Sequence, residues 1–363
     1  MDKVLKFDIK LQRNDFLLNV KAEIKEGITG IYGPSGHGKT SMLNAIAGLI
    51  TPDSGQIVLN ETPVFDAVQK INVPVQKRKI GYVFQDIRLF PHLSIAKNLK
   101  YGINNSSANS PDFDEVISIL NIKHLLQKKP SECSGGEKQR ISIGRALLSG
   151  ANILMMDEPF SAVDVNLRNN IIPFLEAVSR RFKVPMLVVS HDLPDLLSLT
   201  DNLMLLKDGA IKALGKFQDL LLDEKNIGLM KDAGLYNAYN LGVSASLPDK
   251  NMVLLSNNPG DFHVQVLAPP GQQVFNVGKQ IKVLIRPEDI SISLHRVDQI
   301  SLRNQIMGTI IKIFSRNGLS FCLVEAGEKV LVEITEASLK NMKLGVGVTV
   351  YCLFKSAALK IFG

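Results

Sequence analysis

The chain has 363 residues, 45% of them hydrophobic and 21% charged, with a formal net charge of +7. This balance is that of a globular protein and excludes disordered, collagen-like and coiled-coil classes. Apolar runs such as the one at 153–156 are far shorter than the ~20 residues of a membrane span, and residues 1–8 lack the apolar core of a signal peptide. Three cysteines cannot all pair, so a reducing compartment is expected rather than a disulfide framework.

Up to about residue 230, short β-rich runs alternate with helical patterns, which predicts a parallel α/β architecture. A helical stretch over about 95–150 is interrupted by a polar loop at 104–112, which is typical of an insertion. The predicted strands are 28–32, 80–84, 153–156, 186–190 and 203–206.

After about residue 240, short alternating segments separated by turns such as Asn317-Gly318 predict a small antiparallel barrel or sandwich. These segments are 263–267, 280–285, 290–294, 306–314, 319–324, 330–334 and 349–354. Residues 277–286 also align with 346–355 at an offset of 69 residues. The alignment indicates either a duplicated half-module or a chance likeness between two alternating strands.

A glycine-rich loop with the phosphate-binding pattern G-x-x-x-x-G-K-[ST] lies between an apolar strand and a helical run. Its backbone N–H groups can face phosphate oxygens, Lys39 can reach the β- and γ-phosphates, and the Thr40 hydroxyl can bind Mg²⁺. The predicted nucleotide-binding residues here are Gly33, Pro34, Ser35, Gly36, His37, Gly38, Lys39, Thr40 and Ser41.

The apolar strand at 153–156 ends in two carboxylates, Asp157 and Glu158. Successive side chains of a strand point to opposite sides, so the two acids can serve different roles. We expect Asp157 beside Mg²⁺ and Glu158 beside the attacking water. A buried strand with a solvated acidic end is the alternative.

The segment Cys133-Ser-Gly-Gly-Glu-Lys-Gln-Arg140 resembles the signature of the ATP-binding-cassette (ABC) ATPases, which is close to L-S-G-G-Q. Cys133 replaces the usual leucine and Glu137 takes the final position. The resemblance implies that Ser134, Gly135, Gly136 and Glu137 complete the nucleotide site of an opposing subunit, in a head-to-tail homodimer with two shared ATP sites. A plain helix cap is the alternative.

Other elements follow in the order of the same family. Gln85 matches the glutamine that links Mg²⁺ and water to the helical subdomain, and Asp164 ends a segment similar to the D-loop, 161–164. His191 matches the switch histidine near the γ-phosphate. Phe16 is the nearest candidate for the aromatic residue on which adenine stacks, and a core position in an N-terminal strand is an equal alternative.

One cassette, an appended β-domain and the lack of a membrane span fit an importer subunit that docks on separate permeases. Residues 77–92 resemble the corresponding region of the ATPases of molybdate importers. The resemblance implies contacts with the permease, and packing within the helical subdomain is the alternative. The candidate contact residues are Arg88, Leu89, Phe90, Pro91 and His92.

The C-terminal region resembles the small oxyanion-binding module of molybdate-handling proteins. A tetrahedral dianion is bound well by hydroxyls, backbone N–H groups and a cation. In this sequence a hydroxyl directly follows the lysine, where a spacing of two residues is more usual, so a dimerisation or regulatory role is the alternative. The implied oxyanion residues are Ser301, Arg303, Asn304, Thr335, Ser338, Lys355 and Ser356.

The resemblance therefore implies a P-loop ABC ATPase over 1–230 with a helical subdomain at about 86–150, a linker at 231–245, and a β-domain similar to Mop and TOBE modules over 246–363. The expected function is ATP- and Mg²⁺-dependent uptake of molybdate or tungstate at the cytoplasmic face of the inner membrane. Expected partners are a second copy, two permease subunits, indirectly a periplasmic oxyanion-binding protein, and an intracellular molybdate or tungstate ligand.

Two alternative functions stay open. The first is import of another oxyanion such as sulfate, thiosulfate or phosphate, since a periplasmic receptor and permease select the cargo. The second is an intracellular oxyanion sensor or store in which the cassette acts as a switch. Basic residues are spread along the chain rather than gathered in a stripe, so no nucleic-acid partner is expected.

Overall fold

The computed structural model describes residues 5–103, 111–230, 235–247, 251–257, 260–268, 276–316 and 318–362. Most of the predicted polar loop, the first four residues of the predicted linker, and Asn317 lie outside these ranges. The chain forms two compact units, Met1–Leu220 and Leu221–Gly363. Their boundary lies before the predicted one at residue 230, because the helix Glu224–Met230 belongs to the second unit.

A six-stranded sheet of largely parallel strands forms the centre of the first unit, in the order β11-β10-β3-β9-β8-β7. Every residue of β3, β8 and β9 is buried, as expected for parallel strands covered on both faces. The five predicted strands are confirmed within one or two residues. The six strands are β3 (Ile28–Tyr32), β7 (Ile80–Val83), β8 (Ile153–Asp157), β9 (Met186–Val189), β10 (Asn202–Lys207) and the antiparallel β11 (Ala210–Lys216).

A second sheet of the first unit is antiparallel, in the order β2-β1-β4-β5-β6, and is not part of the predicted parallel α/β pattern. Leu5, Phe7, Ile9 and Leu11 alternate with exposed residues, so this sheet buries only one face of β1. Its strands are β1 (Leu5–Arg13), β2 (Phe16–Ile24), β4 (Ser54–Leu59), β5 (Thr62–Asp66) and β6 (Ile71–Asn72).

Helices flank the central sheet, and three of them lie within the predicted helical subdomain. No helix in the described ranges is long and apolar enough to cross a membrane. The helices of the first unit are α1 (Lys39–Ala47), α2 (Ile95–Lys100), α3 (Phe113–Ile119), α4 (Gly135–Leu148), α5 (Val165–Phe182) and α6 (Leu193–Leu199), and α7 (Phe217–Leu222) spans the boundary.

The second unit is rich in strands, as predicted, and two five-stranded antiparallel sheets share one apolar core. The predicted linker at 231–245 is wrong from Asn237 onward, because strand β12 begins there and pairs along its length. The elements are α8 (Glu224–Met230), β12 (Asn237–Leu247), β13 (Met252–Ser256), β14 (His263–Leu267), β15 (Gln280–Ile285), β16 (Ser291–Ser293), β17 (Asn304–Arg316), β18 (Leu319–Glu325), β19 (Lys329–Ile334), α9 (Glu336–Asn341), β20 (Thr349–Phe354) and β21 (Lys360–Phe362).

The two sheets have corresponding strand orders, β14-β13-β12-β15-β21 and β19-β18-β17-β20-β16. Each half lends its last short strand to the sheet of the other half. Lys282 pairs with Phe362, and Tyr351 pairs with Ser293. These two pairs are related by the 69-residue offset seen in the sequence, so the internal repeat extends to the whole topology of the unit.

Candidate nucleotide-binding site

The phosphate-binding loop runs from the end of β3 to the start of α1. Gly38 is the N-cap of α1 and has φ of 99°, a conformation that L side chains rarely adopt. A Cβ at this position would also lie 2.9 Å from the ring of Phe16. Since the first N–H groups of a helix have no intrahelical acceptor, the start of α1 can receive an anion.

Lys39 is buried, and its ammonium group donates to the carbonyls of Gly33 at 2.5 Å and Pro34 at 2.8 Å. Burial lowers the pKa of Lys39, while the nearby charges of Glu158 and Asp157 raise it. A phosphate oxygen offers a charged acceptor in place of two neutral carbonyls. The side chain is therefore held ready for an anion at this loop.

Thr40 and Asp157 meet where α1 faces the end of β8, and the Thr40 hydroxyl donates to the carboxylate at 2.7 Å. Burial raises the pKa of Asp157, and the bond from Thr40 lowers it. Hydroxyl and carboxylate oxygens are hard donors that suit Mg²⁺, so this pair fits the predicted metal. Gln85 lines the same cavity.

Glu158 and His191 are in contact, with 2.9 Å between the Glu158 carboxylate and His191 Nδ1. Glu158 has φ of 52°, an uncommon value for a residue with a side chain, and its N–H donates to the Val189 carbonyl at 3.0 Å. The Ser161 hydroxyl donates to the Glu158 carbonyl at 3.0 Å. These bonds fix the backbone of Glu158 and direct its side chain towards the cavity.

A cavity of about 510 Å³ lies over the loop and the acidic pair. It brings together the phosphate-loop, Mg²⁺, water-polarising and switch residues expected from the sequence. Phe16 is also part of its wall, where an adenine ring could stack. The lining residues are Phe16, Ser35, Gly36, Gly38, Lys39, Thr40, Ser41, Gln85, Asp157, Glu158, Ser161 and His191.

Comparison with known proteins agrees with this geometry. A family model described as ABC transporter matches residues 17–161. The molybdenum import ATP-binding protein ModC of Haemophilus influenzae is 35% identical over 357 residues, covering 98% of this chain and 99% of the relative. The protein of that name from Haemophilus ducreyi is 36% identical over 362 residues, covering 98% and 100%. The chain belongs to the ABC transporter ATP-binding proteins.

Solved structures of the ABC family share the fold. A nucleotide-free ATP-binding cassette from an ABC transporter has a TM-score of 0.52 at 22% identity, covering 63% of this chain and 98% of that one. A bacterial Atm1-family ABC exporter with ATP bound has a TM-score of 0.55 at 22% identity, covering 65% and 43%. The family model and the full-length relatives, rather than these structures, identify an ATP-hydrolysing subunit of an ABC importer.

The ABC signature residues do not line the cavity. Ser134 is the N-cap of α4, and its hydroxyl accepts from the Glu137 N–H at 3.3 Å. Glu137 in turn accepts from the Ser134 N–H at 2.6 Å, which lowers the pKa of the Glu137 carboxylate. A Cβ at Gly136 would lie 2.6 Å from the Ala162 carbonyl, whereas one at Gly135 would meet nothing within 4 Å. The helix cap is therefore present, and it leaves Gly135 open.

Two further predicted residues have contacts away from the cavity. His37 belongs to the phosphate loop, but its Nδ1 accepts from the Asp208 N–H at 2.9 Å in the turn between β10 and β11. Asp164 is the N-cap of α5 and accepts from the Leu167 N–H at 3.0 Å. The side chains of His37 and Asp164 thus bond to backbone groups, and neither residue lines the cavity.

The candidate permease segment combines exposed and half-buried side chains. Arg88 lies 4.3 Å from the centre of the Phe84 ring, and the Phe90 ring lies 4.3 Å from that of Tyr101. Phe90 also lies 5.3 Å from the Arg145 guanidinium. Packing within the first unit therefore covers Phe90 in part. Arg88, Pro91 and His92 are exposed, and Leu89 and Phe90 are half-buried.

The seven candidate oxyanion residues differ in burial and in the hydrogen bonds that they make. Asn304 is 2% exposed, and its amide is bonded to both backbone groups of Gln265. Its assignment to an oxyanion stays a prediction. The Thr335 hydroxyl donates to the Ser338 hydroxyl at 2.9 Å. The buried Ser356 hydroxyl has no hydrogen-bond partner among the described residues. Ser301, Arg303 and Lys355 are exposed.

Sequence reasoning missed Ser161 as a lining residue and Asp208 as the partner of His37. Ser161 stands in the D-loop motif, so its place in the cavity could have been found from the same signal that identified Asp164. Asp208 lies 171 residues from His37, and nothing local marks it. Only the pairing of β3 with β10 brings the two turns together.

Proposed function

We propose that this importer ATPase powers uptake of molybdate through separate permease subunits. The observation that carries the proposal is the full-length likeness to proteins named molybdenum import ATP-binding protein, which extends across the second unit. The cassette alone would support any ABC importer. Tungstate has the same charge and tetrahedral shape, so the proposal includes it.

ATP hydrolysis follows from the residues around the cavity. Lys39 binds the phosphates, and Thr40, Asp157 and Gln85 would hold Mg²⁺, which neutralises phosphate charge when bound. Glu158 orients the attacking water and acts as the general base that accepts its proton. His191 holds the Glu158 carboxylate through the 2.9 Å contact. Phe16 supports the adenine.

A second copy completes each site in this proposal. Gly135 and Ser134 are exposed at the start of α4. The Gly135 N–H and the Ser134 hydroxyl proton are available to a nucleotide on another subunit, while the Ser134 N–H donates to Glu137. Helix N-termini favour anions through their unpaired N–H groups. The dimer is therefore head-to-tail, with the signature of one copy over the phosphate loop of the other.

The second unit is a candidate site of regulation by intracellular oxyanion. Ser356 is 7% exposed and its hydroxyl has no partner within the part of the chain that the structure describes, although buried polar groups are nearly always paired. It directly follows Lys355, a cation suited to a dianion. A bound tetrahedral oxyanion would satisfy the hydroxyl.

Deletion of the gene in its source organism tests the cargo. Cells grown at limiting molybdate should lose most of their molybdenum, measured by mass spectrometry of the metal. Wild-type chain should restore accumulation, and the Glu158→Gln variant should not. If the deletion strain keeps a normal molybdenum content but loses uptake of sulfate or phosphate, the cargo is that anion and not molybdate.

Calorimetric titration of the full chain tests the second unit separately. Binding of molybdate and tungstate, with no heat from sulfate and a loss of binding in Ser356→Ala, is expected. Failure of all three anions to bind the folded chain would leave the ATPase in place and remove the regulatory role.

A further inference from the structure

Arg168 lies in the first turn of α5 and is mostly buried, with 21% of its side chain exposed. One arm of its guanidinium, Nη2, donates to the carbonyls of Phe160 and Val163 at 3.1 Å each. These carbonyls belong to the loop that follows Glu158. The other arm, Nη1, forms an ion pair with Asp195 at 2.5 Å.

Asp195 lies in α6, the helix that directly follows the switch histidine. Its side chain is 10% exposed, and its N–H donates to Asp192, the N-cap of the same helix, at 3.2 Å. The Asp192 N–H donates to the Ser190 hydroxyl at 3.0 Å. These two bonds link the segment from Ser190 to Asp195, and His191 lies inside it.

The two segments leave the sheet from neighbouring parallel strands, β8 and β9. At the cavity end, the Glu158 carboxylate contacts His191 at 2.9 Å. At the far end, Arg168 joins the loop after Glu158 to the helix after His191. The Glu158–His191 contact and the Arg168–Asp195 ion pair thus join the same two segments at opposite ends. The separation of the segments at the Arg168 end therefore constrains their separation at the cavity end.

We propose that Arg168 is a positioning residue for ATP hydrolysis, which acts with Asp195 to hold Glu158 and His191 at their reactive separation. The inference rests on the roles proposed above for Glu158 and His191. Neither Arg168 nor Asp195 lines the cavity, so the pair acts through the two segments and touches no reacting atom.

The chemistry of the pair favours this role over simple stabilisation. The Arg168 Nε is buried with no partner among the described residues, and an unmet donor on a buried cation costs stability. Burial also raises the pKa of Asp195, against the opposing effect of Arg168. The set of contacts is specific to arginine, because only a planar guanidinium can bond to two carbonyls and one carboxylate at the same time.

The test measures kcat and KM for ATP, with nucleotide affinity measured separately, in Arg168→Met and Asp195→Asn. We expect kcat to fall by about 10- to 100-fold, since small misplacements of reacting groups have effects of that order. The affinity for ATP should change less than about twofold, because the phosphate loop is untouched. Arg168→Lys restores charge but not the forked contacts, and should give an intermediate kcat.

Arg180→Met is the matched control, since Arg180 is exposed on the same helix. A double-mutant cycle with His191→Ala separates positioning from stability. If Arg168 acts through the histidine, the double variant should be no slower than His191→Ala alone. Additive losses, or a parallel loss of ATP affinity, would overturn the inference.

Folding is checked by the thermal midpoint, and Asp195→Asn carries the same prediction if Arg168→Met does not fold. Normal ATP turnover in Glu158→Gln would contradict the roles proposed for Glu158 and His191. An inactive Glu158→Gln with no coupling between Arg168 and His191 would remove only the positioning role.

Discussion

Asn237 and Asn304 occupy corresponding positions in the two halves of the second unit and make the same pair of bonds. Asn237 donates to the Leu331 carbonyl at 2.9 Å and accepts from the Leu331 N–H at 2.7 Å. Asn304 bonds to the two backbone groups of Gln265 at 3.0 and 2.7 Å. Each asparagine thus supplies, from one sheet, the hydrogen bonds of a strand in the other.

Replacement of Asn304 by alanine should destabilise the second unit. The N–H and carbonyl of Gln265 would be left unpaired in a partly buried setting, at a cost of about 1–3 kcal/mol each. We expect the free energy of unfolding in urea to fall by about 2–6 kcal/mol. Asn341→Ala, on the exposed end of α9, is the control and should change it by less than about 0.5 kcal/mol. An unchanged midpoint in Asn304→Ala would contradict the reciprocal bonds.

The sequence predicted the repeat where alternation was strong, in β15 and β20. It did not relate Asn237 to Asn304, because their offset is 67 residues and the intervening turns differ in length. The sequence pattern instead assigned Asn304 to an oxyanion. Only the fold shows that its amide is already used, since burial and partner strands are tertiary properties.

In the cassette, too, local motifs predicted some contacts, and tertiary packing alone shows others. Lys39, Thr40, Asp157 and Glu158 were predicted correctly as neighbours because short motifs place them at strand ends of a common sheet. The contact of Arg168 with Asp195 could not be predicted. An arginine and an aspartate 27 residues apart on two helices look like ordinary surface charges until packing brings them together.

Glu158→Gln should preserve ATP binding and abolish most hydrolysis. The amide keeps the shape but cannot accept a proton, so turnover should fall by about 10²- to 10⁴-fold. Because ATP is not consumed, the head-to-tail dimer should accumulate and be visible by light scattering with ATP. Glu23→Gln, an exposed change on β2, is the control. Turnover at the wild-type rate in Glu158→Gln would falsify its assignment.

The cysteines should react slowly in the native protein. Burial raises the pKa of Cys322 to about 11 and that of Cys352 to about 12, and Cys133 is also buried with a raised pKa. Only the thiolate reacts, so at pH 8 about one Cys322 in 10³ and one Cys352 in 10⁴ is competent. Ellman's reagent should titrate all three rapidly in denaturant. Rapid reaction of Cys322 or Cys352 in native protein would contradict their burial.

Asn98→Ala should separate ATP hydrolysis from its coupling to a permease. Asn98 is fully buried, accepts from the Phe90 N–H at 2.8 Å and donates to the Phe90 carbonyl at 3.1 Å. It also donates to the carbonyls of Leu93 and Ser94, so one amide shapes the segment proposed to meet the permease. ATPase activity of the isolated chain should stay within about twofold, because no contact to the cavity is lost.

The same variant should lose most of the stimulation seen with permease in lipid vesicles, by about tenfold or more, because the segment is misplaced. Asn98→Asp keeps the acceptor for the Phe90 N–H and loses the N–H donors. Its stimulation by permease should lie between those of the wild type and Asn98→Ala. Lys97→Ala, exposed one residue away, is the control. An equal loss of ATPase activity with and without permease would mean that Asn98 stabilises the cassette and does not act on the permease contact.

Gly135 and Gly136 test whether the signature acts on a second subunit. A Cβ at Gly136 would lie 2.6 Å from the Ala162 carbonyl, so Gly136→Ala must displace backbone and should lower the thermal midpoint. A Cβ at Gly135 meets nothing within 4 Å in the chain, so Gly135→Ala should fold with nearly unchanged stability. In the proposed head-to-tail dimer, the added methyl group would instead face the nucleotide of the opposing copy.

Gly135→Ala should therefore bind ATP normally as a monomer and hydrolyse it at least about tenfold more slowly, since close approach of the second copy is blocked. Mixing it with the phosphate-loop variant Lys39→Ala gives the decisive measurement. A dimer of the two has one site with both defects and one site with neither. Partial activity in the mixture, absent from each variant alone, is the expected result. No recovery, with dimers of the mixed type present, would mean that the signature serves its own subunit.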